Sequence, residues 1–334
     1  MNNFLFRVDD GPGVGSGHLM RCLALAEEIC QSGRKVHLLA MRPSVLHHRW
    51  RVIGADVMIR DCRIGSEEDL AVTLQAASLL EADWVVVDGY GFTVDWLDAV
   101  GGERNTLCLD DVGVRDPSVA LVLNHNPGAE QRYAGSYRRC KQALLGSDWF
   151  LLRSEFKNQV RCPENGQILV CLGGEDPDNR TLHVIQALVA GRGVDFGVDV
   201  VCNNAQFAGI AEMAELAVSA GWRFQVHPGP LALAPLMGRA HVMICGGGVT
   251  AVEALSMGLN VVAIVLAENQ AEGIAYLANT GALDVVQVTG DWAEYAAGAA
   301  LKYVARSAST NDQKKLFRFD GGGAGRVLVR MIAR

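Results

Sequence analysis

Short apolar segments alternate with amphipathic helical segments along the whole chain, and this alternation restricts the fold more than any other feature. Continuous apolar stretches such as residues 84–87 predict strands that are covered on both faces, because a half-exposed strand would alternate apolar and polar residues. Such strands belong to parallel sheets wound with helices. The alternation forms two series separated by a polar segment at 157–166. It predicts an α/β protein with two Rossmann-like domains facing each other across a cleft.

The predicted elements of the first series are strands at 4–8, 36–41, 56–59, 84–88, 106–109 and 119–123, with helices at 19–31, 67–81 and 93–100. The second series has strands at 168–172, 198–202, 223–227, 241–245, 260–266 and 285–288. Its helices lie near 178–190, 207–219, 231–239, 249–257, 269–279 and 291–305. We expect domains at 1–156 and 157–308, followed by a helical tail at 309–334 with a break at 320–323.

Composition excludes several classes of partner. The chain has 334 residues and a net charge of -7, which argues against nucleic acid because phosphate binding needs a concentrated basic face. No apolar run reaches the length of a membrane span, and the start resembles no secretion signal. The nine cysteines lack C-x-x-C spacing, so we expect reduced core thiols and no metal site. We therefore expect a cytoplasmic protein without membrane insertion.

A glycine-rich loop at 9–17 joins the first predicted strand to a helix that His18 and Arg21 open. Ser16 stands where a dinucleotide fingerprint needs glycine, and no acidic residue follows the second strand, so NAD binding is not expected. No lysine follows the glycines, which excludes a P-loop. His18 is either a solvated or capping residue or a general base, since a helix N-terminus disfavours the imidazolium.

A second glycine loop, Gly246–Gly248, lies between the strand at 241–245 and a helix starting near 249. Free N–H groups at such a helix start suit a pyrophosphate, and Glu253, one turn in, could bind ribose hydroxyls. The alternative is a glycine hinge for close packing, with Glu253 solvated.

Polar residues in the other loops carry open alternatives. Asp88 and Tyr90 either orient a sugar or end a strand, and Asp110-Asp111 either bind sugar hydroxyls or cap a turn. Asn269 and Gln270 either bind a ligand or cap the following helix.

Taken in order, these segments resemble the PseG-type UDP-sugar hydrolases of pseudaminic acid biosynthesis. The resemblance rests on segments spread over nearly the whole chain: 6–9 with 15–21, 87–91, 151–156, 173–177, 268–270 and 319–324. The chain departs from the family at Gly89, where relatives can carry histidine, and in the loop containing Pro12.

The resemblance implies a GT-B architecture, shared with MurG-type glycosyltransferases, and hydrolysis of UDP-2,4-diacetamido-2,4,6-trideoxy-β-L-altropyranose without metal or cofactor. His18 matches the catalytic histidine, Tyr90 an orienting tyrosine and Asn269 an asparagine near the sugar. The remaining implied substrate-binding residues are Gly15, Gly17, Arg21, Asp88, Gly174, Gly247, Gly248, Val249, Thr250, Glu253 and Gln270. The implied partners are the small-molecule UDP-sugar and other enzymes of the pathway.

Three other functions fit the same pattern. A GT-B glycosyltransferase would move the sugar to an acceptor, and a hydrolysing sugar-nucleotide 2-epimerase would use the same architecture. A sugar-binding protein would close on its ligand without chemistry.

Overall fold

The computed structural model divides the chain into two compact units, Met1–Ser154 with Phe319–Arg334, and Glu155–Arg318. It describes residues 2–10, 16–113, 115–157, 159–164, 166–173, 176, 178–191, 196–219, 222–229, 232–307 and 319–333.

The first unit is built on a seven-stranded parallel sheet. Its strands are β1 (Asn3–Val8), β2 (Lys35–Ala40), β3 (Asp56–Ile59), β4 (Trp84–Asp88), β5 (Asn105–Leu109), β6 (Leu121–Asn124) and β7 (Gln142–Leu145). Its helices are α1 (Gly17–Gln31), α2 (His47–Val52), α3 (Glu67–Leu79), α4 (Val94–Glu103) and α5 (Ala129–Arg132). The spatial order β3-β2-β1-β4-β5-β6-β7 places a switch in chain direction between β1 and β4. In open α/β sheets, ligands bind at such a switch, outside the carboxyl ends of the strands.

Hydrophobic cores on both faces of this sheet explain its continuous apolar strands. Phe4 and Phe6 of β1 pack into the core that includes α1, whereas Leu5 points into the opposite core with Trp96 and Leu97 of α4. Because successive side chains of a strand alternate between faces, every position of β1 after its first residue is buried.

The second unit contains a six-stranded parallel sheet in the order β10-β9-β8-β11-β12-β13. After α6 (Ser154–Lys157), the elements are β8 (Gln167–Cys171), α7 (Arg180–Ala190), β9 (Gly197–Cys202), α8 (Asn204–Ser219), β10 (Arg223–Pro228), α9 (Ala234–Arg239), β11 (Val242–Gly246), α10 (Val249–Ser256), β12 (Asn260–Val265), α11 (Glu268–Asn279), β13 (Asp284–Gln287) and α12 (Trp292–Ser307). Here the switch in chain direction lies between β8 and β11.

The last helix, α13 (Gly323–Ile332), packs on α1 of the first unit. A side chain at Gly323 would place its Cβ 2.2 Å from the carbonyl oxygen of Phe150, so this helix start requires glycine. The predicted break at 320–323 ends on the first residue of α13, and 308–318 lie outside the described residues.

The predicted parallel α/β fold with two Rossmann-like domains is confirmed. Every predicted strand is present, with ends displaced by at most two residues. The sequence reading missed β7, α2, α5 and α6, which have four to six residues each and are too short to show a period. Within the described part of the chain, no helix is long and apolar enough to cross a membrane. All nine cysteines are free, and Cys22, Cys108, Cys171, Cys202 and Cys245 are buried.

Candidate functional site

The start of α1 and the ends of β4 and β5 bring a cluster of charged side chains together in the first unit. His18 and Arg21, one turn apart on α1, both reach Asp88, the last residue of β4. Asp111 follows β5 and contacts Arg21. This cluster lies at the switch between β1 and β4, where the topology predicts a ligand site.

Asp88 is held between the two α1 side chains. Arg21 donates from Nε to Asp88 Oδ2 and from Nη2 to Oδ1, both at 2.6 Å. His18 Nδ1 lies 2.7 Å from Oδ1. All three side chains are buried, Asp88 to 1% exposure and His18 to 4%. Charge-assisted contacts of this geometry fix the guanidinium, the carboxylate and the imidazole relative to one another.

The electrostatics of Asp88 determine which nitrogen of His18 carries the proton. Burial opposes ionisation, but the positive charge of Arg21 outweighs it, so the pKa of Asp88 lies well below its usual range. Nδ1 lies 2.7 Å from the ionised Asp88 Oδ1 and 2.9 Å from Arg21 Nη2. The shorter contact is to an oxygen that can only accept, so it favours a proton on Nδ1. In neutral His18 the lone pair is therefore on Nε2, which is the arrangement of a general base oriented by a carboxylate.

Asp111 links Arg21 to Tyr90. Its Oδ2 accepts from Arg21 Nη1 at 2.9 Å and from the Tyr90 hydroxyl at 3.0 Å. Burial disfavours the charge of Asp111, but the nearby Arg21 holds the pKa of this carboxyl below its ordinary value. The Tyr90 ring packs edge-on against the His18 ring, with centroids 4.6 Å apart, and is 46% exposed. A partly exposed aromatic ring thus covers the buried imidazole.

Arg115 ties together the loops that carry Tyr90 and Asp111. It donates to the carbonyl oxygens of Gly89 and Leu109 and to the carboxylate of Asp110. Gly89 has φ +147°, a conformation that side chains rarely adopt, and a Cβ there would lie 3.1 Å from the Phe92 ring. Glycine at this position therefore fits the local backbone.

Sequence reasoning missed His125, which follows β6 and is 2% exposed. Its Nδ1 accepts the Leu151 N–H at 3.1 Å, and its ring stacks on Phe150. Burial, assisted by the charge of Arg21, lowers the pKa of His125 to about 3. The sequence does place His125 directly after a strand, where ligand-binding residues are expected. The periodicity, however, does not distinguish a functional histidine at this position from a structural one.

Two residues of the motif at 6–9 have a structural role in this fold. Arg7, fully buried in β1, donates from Nε and Nη2 to both oxygens of Asp69 at 2.8 Å and also pairs with Asp9. Asp9 accepts the Met41 N–H at 2.6 Å. This network fixes the ends of β1 and β2 and the start of α3.

In the second unit, the predicted glycine loop connects β11 to α10. Gly248 caps α10 without a side-chain hydrogen bond, and Val249 and Thr250 form its first turn. A Cβ on Gly247 would lie 2.7 Å from Ile274 Cγ1, so the loop packs tightly against α11. The combination of small residues and a helix start suits an anion.

The other residues predicted to bind the substrate lie beside this loop, elsewhere in the chain or outside the described residues. Gln270 Oε1 accepts the Leu266 N–H at 3.1 Å, and the Gln270 side chain borders Gly247 and Gly248. Asn269 is exposed at the start of α11, and Glu253 is 1% exposed within α10. Gly17 is the first residue of α1, whereas Gly15 and Gly174 lie outside the described residues. Within each unit, the structure thus brings together most of the predicted residues that it describes.

No family model matches the chain. A curated relative, the uncharacterized protein MJ1062 of Methanocaldococcus jannaschii, is 22% identical over 282 residues, which cover 79% of this chain and 56% of that protein. The chain therefore spans little more than half the length of this relative.

Solved structures show the same fold over nearly the whole chain. MurG from Acinetobacter baumannii has a TM-score of 0.64 at 16% identity, covering 98% of both chains. UDP-GlcNAc 2-epimerase from Neisseria meningitidis, solved with UDP-GlcNAc bound, has a TM-score of 0.67 at 11% identity, covering 99% of both. A glycosyltransferase from Rickettsia africae gives 0.64 at 12% identity, covering 100% of this chain and 99% of its own. The two parallel α/β domains are thus those of the GT-B architecture.

Proposed function

We propose that this chain hydrolyses a UDP-activated amino-deoxy sugar to UDP and the free sugar, with His18 as the general base. The observation that supports this most directly is the His18–Asp88 pair, in which an ionised carboxylate leaves the lone pair of the imidazole on Nε2. The resemblance to PseG-type hydrolases indicates UDP-2,4-diacetamido-2,4,6-trideoxy-β-L-altropyranose as the substrate and pseudaminic acid biosynthesis as the pathway. The proposed location is the cytoplasm, with other enzymes of that pathway supplying the substrate and taking the product.

In the proposed reaction, water attacks the anomeric carbon while His18 Nε2 accepts its proton. The bond between the anomeric carbon and the pyrophosphate oxygen breaks, and its electron pair leaves with UDP. Asp88 stabilises the imidazolium that forms, while Arg21 keeps Asp88 ionised and in place. The proton passes from His18 to solvent, which restores the base.

The glycine loop of the second unit is the proposed site for the UDP moiety. The loop from Gly247 to Thr250 would hold the pyrophosphate, whose charge grows as the sugar bond breaks. The donors would be the N–H groups of Gly248, Val249 and Thr250, because the Gly247 N–H donates to the carbonyl oxygen of Ile264 at 2.9 Å. Glu253 would bind the ribose; it is buried within α10, so this role requires its carboxylate to become accessible. For the sugar, the resemblance assigns contacts to Tyr90 and Gly17 in the first unit and to Asn269 and Gln270 in the second. It assigns the same role to Gly15 and Gly174, which lie outside the described residues.

The fold likeness also supports a second candidate, transfer or epimerisation of a UDP-sugar. Structures with this fold include proteins described as a glycosyltransferase and a UDP-GlcNAc 2-epimerase. Both alternatives would use the same UDP site and differ in what reaches the anomeric carbon or C2 of the sugar.

The discriminating experiment incubates purified protein with the UDP-diacetamido sugar in the absence of any acceptor. Hydrolysis predicts UDP and free sugar in equal amounts, formed in proportion to enzyme. UDP that appears only after an acceptor is added would establish transfer instead, and release of a C2 epimer would establish epimerisation.

The role of His18 is tested by His18→Ala. We expect UDP affinity to stay within a few-fold of wild type and turnover to fall by about 100-fold or more, because general-base catalysis typically contributes that much. His48→Ala, which removes an exposed histidine of α2, is the matched control and should retain wild-type turnover. Unchanged turnover in His18→Ala would refute the general-base role.

A further inference from the structure

Among the described residues, Asp111 has hydrogen-bond partners for only one of its two carboxylate oxygens. Oδ2 accepts from both Arg21 and Tyr90, whereas Oδ1 is buried and has no hydrogen-bond partner among the described residues. The side chain as a whole is 9% exposed. An acceptor that is shielded from water and lacks a donor is rare in native proteins and requires an explanation.

Its neighbour Asp110 shows what a purely structural carboxylate looks like in the same loop. Asp110 Oδ1 accepts from Arg115 Nε and Nη2, and Oδ2 accepts from the Arg115 N–H and the Tyr137 hydroxyl. Both oxygens of Asp110 are therefore satisfied within the protein. Asp111 differs because one oxygen anchors the local structure and the other is left unused.

The unused oxygen also belongs to a charged group. The positive charge of Arg21 overcomes the effect of burial and keeps the pKa of Asp111 low, so Oδ1 is an anionic acceptor at neutral pH. It lies in the residue that positions Tyr90, whose ring packs on His18. A donor that reached Oδ1 would therefore be close to the group proposed to act at the anomeric carbon.

We propose that Asp111 is a substrate-binding residue whose Oδ1 accepts a hydrogen bond from an N–H or O–H donor on the sugar. This inference rests on the proposed function, because it requires the sugar to bind beside His18. Oδ1 is buried in the free protein, so this binding requires a neighbouring side chain to shift. Tyr90 is partly exposed and donates its hydroxyl to Asp111 Oδ2, and we expect it to be that side chain. A diacetamido-trideoxy sugar carries three such donors, two amide N–H groups and the 3-hydroxyl, and any one of them satisfies the oxygen.

Binding measurements on Asp111→Asn test this proposal without relying on turnover. The side-chain amide of this variant keeps a carbonyl oxygen as the acceptor for Arg21 and Tyr90, but an NH₂ group replaces the anionic Oδ1. Titration calorimetry in a His18→Ala background compares UDP with the intact UDP-diacetamido sugar. We expect the Kd of the UDP-sugar to rise at least about tenfold, since hydrogen bonds to charged groups are among the stronger ones, and the Kd of UDP to change less than about twofold.

Asp116→Asn is the matched control. Asp116 lies in the same loop, but its Oδ1 accepts the backbone N–H groups of Arg138 and Arg139. We expect both ligands to bind this variant with wild-type affinity. Equal weakening of UDP and UDP-sugar by Asp111→Asn, or no weakening of the UDP-sugar, would overturn the proposal.

Ligand analogues keep the proposal testable if Asp111→Asn does not fold. The 2-azido, 4-azido and 3-deoxy analogues of the UDP-sugar each delete one donor, and the one that pairs with Oδ1 should lose about tenfold in affinity for protein that retains Asp111. If none of the three loses affinity, Oδ1 has no partner on the sugar and the proposal fails.

The proposal and the proposed function can fail separately. If wild-type protein binds the UDP-sugar with a donor-dependent affinity but releases no UDP, the hydrolase assignment is wrong and the Asp111 site stands. If UDP is released and Asp111→Asn binds the sugar like wild type, only the Asp111 site is wrong.

Discussion

Acid should destabilise the first unit through His125, and replacement by asparagine should remove this effect. In the folded protein Nδ1 accepts the Leu151 N–H, so the ring is neutral, and burial lowers its pKa from 6.5 to about 3. In the unfolded chain the imidazole keeps its ordinary pKa. Between these two values the unfolded state binds one more proton than the folded state, so stability falls as the pH falls from about 6.5 towards 3.

The size of the effect follows from the two pKa values. Each pH unit below about 6.5 corresponds to about 1.4 kcal/mol, so His125 alone should lower the free energy of unfolding by about 2 kcal/mol between pH 7 and pH 5. In His125→Asn the side-chain amide stays neutral at both pH values, and its carbonyl oxygen can take the place of Nδ1 as the acceptor for Leu151. The substitution leaves space beside Phe150 and lowers stability at both pH values, but this loss cancels in the comparison between them.

Urea unfolding followed by tryptophan fluorescence measures the difference, because four of the six tryptophans, at positions 50, 84, 96 and 149, lie in the first unit. Wild type should lose about 2 kcal/mol more than His125→Asn on going from pH 7 to pH 5. His48→Asn, at an exposed site, should behave like wild type. Equal losses in wild type and His125→Asn would show that the imidazole of His125 does not stay neutral in the folded protein over this pH range.

Three further predictions concern the two candidate sites. Asp88→Asn should lower turnover at least about 100-fold, because the amide cannot accept from Arg21 at both positions and no longer fixes the His18 tautomer. Steady-state UDP release measures the loss, and thermal unfolding at the wild-type temperature shows that the variant is folded. Tyr90→Phe keeps the ring on His18 and should change kcat less than about fivefold, whereas Tyr90→Ala should reduce it at least about tenfold, since only the latter uncovers the imidazole. Gly247→Ala should destabilise the protein by about 1–3 kcal/mol, because its Cβ would overlap a neighbouring side chain. Thermal unfolding measures this loss, and Gly248→Ala, whose Cβ would have its nearest contact 3.6 Å away, should melt like wild type.

The sequence predicted the sheets well because both are buried on two faces. Burial of alternate residues against two cores leaves runs such as 84–87 of β4 continuously apolar, and a short apolar run followed by a glycine-rich turn is easily recognised. Edge strand β7 was missed because Gln142–Leu145 begins with a polar residue directly after a basic segment. Its pairing with β6 depends on a long-range contact that local periodicity does not contain.

The candidate site was predicted in part, for a related reason. Loops after parallel strands meet at one edge of a sheet, so His18 and Asp88 could be placed near each other from the order of elements alone. The contacts themselves could not be predicted, because Arg21 bonding to both oxygens of Asp88 and the shared use of Asp111 depend on side-chain geometry. His125 reaches the same neighbourhood only through the position of β6 beside β5, which the sequence does not specify.

The proposed hydrolysis requires water to attack the anomeric carbon of a UDP-sugar. Its most direct test is turnover of the UDP-diacetamido sugar in ¹⁸O-labelled water without an acceptor, with the UDP product analysed by mass spectrometry. Attack at the anomeric carbon leaves the bridging oxygen on the β-phosphate, so the released UDP should contain no ¹⁸O and the label should enter the free sugar. Labelled UDP would show cleavage at phosphorus, and absence of UDP without an acceptor would show that the protein is not a hydrolase. Either result would rule out hydrolysis at the anomeric carbon.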